Sequence, residues 1–468
     1  MMMVFPSIQP AMKQLNYSML LLHNIRLGKS MFISKTTSET ILLLRYNDAQ
    51  LGGIESTLTR LLSSDPSCIT SRILATGLDL MGTASTSSSL HSKTLKSLGD
   101  TKSSNEYVNL HVHALLDFSK GYFREAAETW ERILILYPFD MMSIKFAADA
   151  YFYTGDREML RDSIARVLPI WDSSTDRPLK SYLHGMYAFG LGETNMIERA
   201  EKEARFGLEL NPHDGWATHA LAHSFEYAGN ISDGIQILKT TKHEWQKCDI
   251  IKPHLDWHWT LYEIEQGNQN AAEEILQNEI LNRNSDIIML DFVDIASLIY
   301  RLRLAGQNSS KIYSSTRLKS FLNDHLHDHV LLFNDLHMYF ILDDFADLES
   351  RNQFAQTLKD AYEQVDSDNG KVYREIGKYL FEAIDQFKEK NYSKVVDLLY
   401  PIRNQIYRIG GSNAQRDLFF LLLIHSAVYS TNNEHQILAK RLINERCAFR
   451  NQTKSNMMTN YANQIRDL

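Results

Sequence analysis

The 468-residue sequence predicts an all-α protein: an α-solenoid whose helix–turn–helix units form a right-handed superhelix, closed by a degenerate helical carboxyl region. Three observations predict it. A turn signal recurs at about 34 residues, each turn is flanked by small and apolar residues at helical spacing, and no βαβ pattern is found.

The first clear unit is GYFREAAETWERILILYP, residues 121–138, which reads as a turn, a helix with Ala126, Trp130 and Ile133 on one face, and a proline stop. Gly155 stands 34 residues after Gly121. A third unit has its turn at Asn195 and repeats the small-residue spacing with Ala200, Ala204 and Gly207 before Pro212. Gly229 follows Asn195 by 34 residues, and Gly267 opens a fifth turn with Ala272 and Leu276 behind it. The helices that precede these turns carry sets of their own: Ile144, Ala147, Ala148 and Tyr151 in one, Thr218, Leu221, Ala222 and Phe225 in another. A 34-residue helix–turn–helix ending in proline is the tetratricopeptide pattern. Two insertions interrupt it, near WDSSTDRPLK (171–180) and near Pro253.

Five segments follow from this reading. Residues 1–36 form an extension, and residues 37–104 hold amino-terminal helices and a Ser-rich linker. Residues 105–285 hold about five repeats, 286–450 a degenerate helical region, and 451–468 a tail. In the degenerate region, 387–402 keeps the turn and second helix of a repeat, while 327–342 reads as a buried helix.

Composition narrows the function classes. A net charge of −8 without a basic stripe argues against nucleic acid. Cys68, Cys248 and Cys447 fit neither a disulfide framework nor zinc spacing, and a reducing, cytoplasmic setting is expected. No apolar run approaches a membrane span. Residues 1–38 lack Asp and Glu and carry Lys13, Arg26, Lys29 and Lys35, so an organellar transit peptide is the alternative to a cytoplasmic location.

LGGIESTL (51–58), ATGLDLMGT (75–83), KFAADAYFYTGD (145–156), WHWTLYEIEQG (257–267), HVLLFNDLHM (329–338) and GGSNAQRDLF (410–419) resemble the tetratricopeptide repeat protein 38 family. The resemblance runs from about Thr37 to Arg446 and implies an interaction-type repeat protein without an established activity. The wider StaR-like grouping has been linked to a flavin-dependent hydroxylase. No GxGxxG follows a strand here, and no cofactor is expected.

THALAHSFEYAGN, residues 218–230, and HLDWHW, 254–259, carry the candidate site. At 100° per residue, Trp216, His219, His223 and Glu226 fall opposite the packing arc of Thr218, Leu221, Ala222 and Phe225. That stripe is expected to line a concave groove, extended one repeat along by His254, Trp257 and His258. Lys145 and Asp149 are expected to be a groove charge pair or a solvated i,i+4 pair. Asp291 and Asp294 open a further helix and favour its dipole, while Asn334, Asp335 and His337 could reach the groove or cap loops. Gly410 and Gly411 make a turn, Ser412 caps the next helix, and Arg416 in its first turn calls for an acidic partner.

The groove is expected to bind a peptide segment or a small molecule. The alternative is an enzyme using the histidines on a small polar substrate. Histidines at i and i+4 can share a metal ion, but HALAH lacks the glutamate of HExxH, and no intrinsic metal is expected. A chaperone-tail carboxylate clamp is not expected either, because His111 and Leu115 stand where its cations would be. Groove truncations are expected to spare stability, in contrast to Leu221→Ala or Trp130→Ala.

Overall fold

The computed structural model describes residues 65–466, together with Thr59, Leu62 and Ser63, except residues 86–88, 102, 175–178, 249, 284, 308–314, 346–347 and 451–454. The expectations for residues 1–58 lie outside the described residues. Among those described, every regular element is helical and there is no strand.

Helices α1 (Ile69–Met81) and α2 (Ser89–Gly99) lead into antiparallel pairs. These are α3 (Glu106–Ser119) with α4 (Phe123–Leu136), α5 (Met141–Thr154) with α6 (Arg157–Asp172), and α7 (Lys180–Glu193) with α8 (Ile197–Leu210). Then come α9 (Gly215–Ala228) with α10 (Ile231–Thr240), a short α11 (Lys242–Trp245), and α12 (Lys252–Gln266) with α13 (Gln269–Ile275). A π-helical stretch, Leu276–Leu281, prolongs α13. Consecutive helices pack on one another along the chain.

The turns follow from backbone chemistry. Gly121, Gly155, Asn195, Gly229 and Gly267 all have positive φ, and each joins the two helices of a pair. Glycine takes this conformation without a Cβ penalty, and Asn is among the side chains that tolerate it. At Gly155 a Cβ would also collide with the Tyr407 carbonyl, so two constraints coincide there. Between pairs, proline ends a helix and aspartate starts the next: Asp140 after Pro138 accepts from the Ser143 N–H, and Asp214 after Pro212 accepts from the Trp216 and Ala217 N–H groups. Ala126, Trp130 and Ile133 are fully buried, as their spacing predicts.

Two segments carry helices of their own. The Ser-rich segment contains α2, because Leu95 and Leu98 give it a face to bury. The tail contains α23 (Asn456–Arg466), whose Met458 and Tyr461 are buried.

The carboxyl region comprises α14 (Met289–Leu304), α15 (Thr316–His325), α16 (Leu332–Phe345), α17 (Leu348–Tyr362), α18 (Asp368–Val372), α19 (Lys378–Lys388) and α20 (Tyr392–Ile402). It ends with α21 (Asn413–Tyr429), α22 (Asn433–Phe449) and α23. Helix α21 packs on α14, and α23 packs on α12. One apolar core runs from Tyr227 and Trp257 through these helices to Ile465. Among the described residues, no helix is long and apolar enough to cross a membrane.

Candidate functional site

The repeat geometry decides what meets what. Adjacent first helices lie side by side, so residues about one period apart in sequence touch. His219 and His223 on α9 face His254 and His258 on α12, and the four rings form one cluster with centroids 4.4–5.2 Å apart. The Nε2 atoms of His223 and His219 are 2.8 Å apart, and those of His254 and His219 are 3.1 Å apart.

Behind each of three imidazoles stands an acceptor. His254 Nδ1 donates to Asp294 Oδ2 at 2.6 Å, and His258 Nδ1 donates to Glu226 Oε2 at 3.3 Å. His223 Nδ1 meets the Tyr227 hydroxyl at 2.8 Å, and that hydroxyl donates to Glu193 Oε1 at 2.5 Å. Trp257 stacks on His254 with a centroid separation of 5.0 Å and 10° between planes. Phe189 covers His219 and His223 from α7.

The predicted groove stripe is thus brought together, but it is not an open wall. His219, the most accessible of the four histidines, is 5% exposed, and His223, His258 and Trp257 are fully buried. That corrects the expectation of a surface separate from the core. The physical reason is that α21 and α22 lie against the same carboxylates. Glu193 accepts from the Asn413 N–H at 2.9 Å and from Arg416 at 3.4 Å. Arg450 donates to Glu226 Oε1 at 3.0 Å, and Gln415 lies against Asp294.

Burial, reinforced by the neighbouring imidazoles, holds His219, His223 and His258 well below the usual histidine range. Burial likewise raises Asp294 and Glu193, against the pull of His254 and Arg416 respectively. His219, His223 and His258 are therefore neutral imidazoles at neutral pH. Neutral imidazole is the form that ligates metals or accepts protons. The residues positioned to hold a cation are His219, His223, His254 and His258, whose candidate ligand nitrogens all lie within 4.8 Å of one another.

Other candidates fall elsewhere. Lys145 and Asp149 form a half-buried i,i+4 ion pair at 2.5 Å, with the ammonium over the Trp216 ring, which in turn packs on His219. Asn334 reaches Thr83, and His337 hydrogen-bonds its own helix at Phe333 and packs on Phe340 and Phe419. Asp335 caps nothing in a groove; it pairs with His329 and Tyr362. The acid that Arg416 calls for is Glu193, and Ser412 caps α21 as expected. Asp291 closes the first turn of α14, whereas Asp294 serves His254. His111 is buried against Asp140 at 3.1 Å.

Sequence reasoning missed Tyr227, Glu193 and Arg450. Two of them had a signal: Tyr227 continues the His219–His223 series at i+4, and Glu193 lies 34 positions before Tyr227, one full period. Arg450 had none, since its partner Glu226 is 224 residues away. Two surface recesses, of about 560 and 600 Å3, are lined by other residues, around Glu203 and around Asn352. Comparison with models of known protein families finds none that matches this chain.

Proposed function

We propose that this protein is a helical-repeat binding protein whose ligand sits inside the molecule, where the four imidazoles converge. One observation carries the reading. The facing sides of α9 and α12 are spent on a buried polar cluster, and residues of α21 and at the end of α22 bind the acids behind it. Polar groups are buried at a cost unless they are satisfied, and nothing in the repeat packing calls for four imidazoles at one point. A small occupant gives them a purpose, and a peptide laid across an open groove does not.

The five left-handed turns at near-34-residue spacing, with the motif resemblance, support a tetratricopeptide type of repeat and the tetratricopeptide repeat protein 38 family. A catalytic reading has weaker support. The cluster's least buried edge, His219, faces Trp216 and the Lys145–Asp149 pair, which is where a small polar substrate would enter.

Native mass spectrometry of full-length protein purified from its own cells tests the proposal. A mass excess that disappears on denaturation is expected, and is expected to be absent from a His219→Gln, His254→Gln variant. A retained ligand indifferent to those substitutions would place binding elsewhere.

A further inference from the structure

We infer that the occupant is a divalent first-row transition metal ion, ligated by His219, His223, His254 and His258 as a closed four-histidine site. The inference rests on the buried-ligand reading above and names the ligand.

Proton bookkeeping points to it. A neutral imidazole has one N–H and one bare lone pair. His254 and His258 place their protons on Nδ1, towards Asp294 and Glu226. His223 does the same, because the Tyr227 hydroxyl gives its own proton to Glu193 and can only accept from Nδ1. Three bare Nε2 lone pairs are therefore directed into one buried spot. His219 Nε2 faces two of them, at 2.8 and 3.1 Å, and can offer at most one proton to one of them. His258 Nε2 has no hydrogen-bond partner at all. Lone pairs facing each other in a low-dielectric interior repel. A cation at the convergence point turns that repulsion into ligation.

The geometry suits the ion. Tetrahedral zinc with bonds of roughly 2.0–2.1 Å places its ligand nitrogens about 3.3 Å apart. The two closest Nε2 pairs, at 2.8 and 3.1 Å, would open slightly, and the widest candidate separation, 4.8 Å, would close. Each helix supplies an i,i+4 pair, a natural two-point clamp. Ligating histidines characteristically donate their other nitrogen to a carboxylate, which fixes the tautomer; Asp294 and Glu226 do this directly and Glu193 through Tyr227. An all-imidazole donor set selects zinc, copper, nickel or iron over calcium and magnesium, which take oxygen ligands. Four protein ligands leave no position for water or substrate, which marks the site as structural, bracing α9 to α12.

The test uses full-length protein stripped with a chelator and titrated with zinc, and separately with cobalt. One equivalent of each is expected, with the intense visible absorption of tetrahedral cobalt and a rise in melting temperature. Asp294→Asn keeps the four ligands and is expected to weaken zinc binding about 10- to 100-fold. His254→Gln is expected to abolish the cobalt spectrum. Absence of a tetrahedral cobalt spectrum from wild type, or stoichiometric zinc binding that survives His223→Gln and His254→Gln together, overturns the inference. An organic adduct lost in the histidine variants, with no metal bound, overturns the metal alone and leaves the buried-ligand proposal standing.

Discussion

At the scale of single residues, the structure reverses one expectation and sharpens another. His223 and Trp257 are fully buried, so Trp257→Ala is expected to cost about 3–5 kcal/mol, comparable with Trp130→Ala, as large-to-small core substitutions do. Lys145→Ala, in a half-buried surface pair, is expected to cost no more than about 1 kcal/mol. Denaturant melts of the three variants decide it, and a wild-type midpoint for Trp257→Ala would contradict the burial. The pH dependence follows from the same residues. Because His219, His223 and His258 are depressed in the folded chain, their contribution is fully present above the unfolded value of 6.5 and is lost as pH falls below it. Each can remove up to about 1.4 kcal/mol per pH unit in that window. Asp294 and Glu193, raised by burial, take up protons in the folded state as pH falls and oppose this loss, beginning above the ordinary carboxylate range. Metal-free protein is therefore expected to lose urea stability between pH 7 and 5.5, and His223→Gln to flatten that slope. A rising or level profile in wild type would count against neutral buried imidazoles.

At the scale of elements, the turns and caps do the local work. Gly155 has φ 66° and a neighbouring carbonyl where a Cβ would go, whereas Gly306 has φ 86° and, among the described residues, nothing within 4 Å of that position. Both Gly→Ala changes carry the left-handed penalty of roughly 1–2 kcal/mol, but only Gly155→Ala adds a backbone collision. Thermal melts are expected to show Gly155→Ala clearly below Gly306→Ala; equal melting temperatures would mean that the turn against Tyr407 gives way freely. The small helices inserted around the repeats matter less to the site. Helix α11 falls where the second insertion was expected and buries Trp245, and α12 then starts at Lys252 with Pro253 in its first turn, a position that needs no N–H.

At the scale of the whole molecule, the amino-terminal repeats and the carboxyl helices share one ionic system. Arg446 bridges Asp417 at 2.8 Å and Glu265 at 2.5 Å, and Arg450 joins Asp417 to Glu226. Glu226 in turn orients His258, so Arg450, at the carboxyl cap of α22, reaches the histidine cluster through one carboxylate. Removing one member of a buried ion pair costs about 3–5 kcal/mol because the other charge stays buried. Arg450→Met is therefore expected to destabilise the fold and to speed hydrogen exchange in α9 as well as α22. Glu226→Gln in the same chain is expected to recover part of that loss. Exchange confined to α22 would show that the two regions are not coupled.

What the sequence determined by itself is the local part: helices, turns and caps, whose causes lie within a few residues. Gly121, Gly155, Asn195, Gly229 and Gly267 are legible because left-handed backbone demands particular residue types, and His219, His223, His254 and His258 because i,i+4 spacing is a property of a helix. Their convergence was half legible, since neighbouring repeats bring residues one period apart into contact. The expected open groove was not what formed, because the wheel of α9 shows which residues share a face and not what covers that face. Only the tertiary structure decided that α21 and α22 bring Asn413, Arg416 and Arg450 against the acids behind the imidazoles. Those pairings span more than 200 residues and carry no periodicity. They form because buried carboxylates need donors, a requirement that any distant part of the chain can meet.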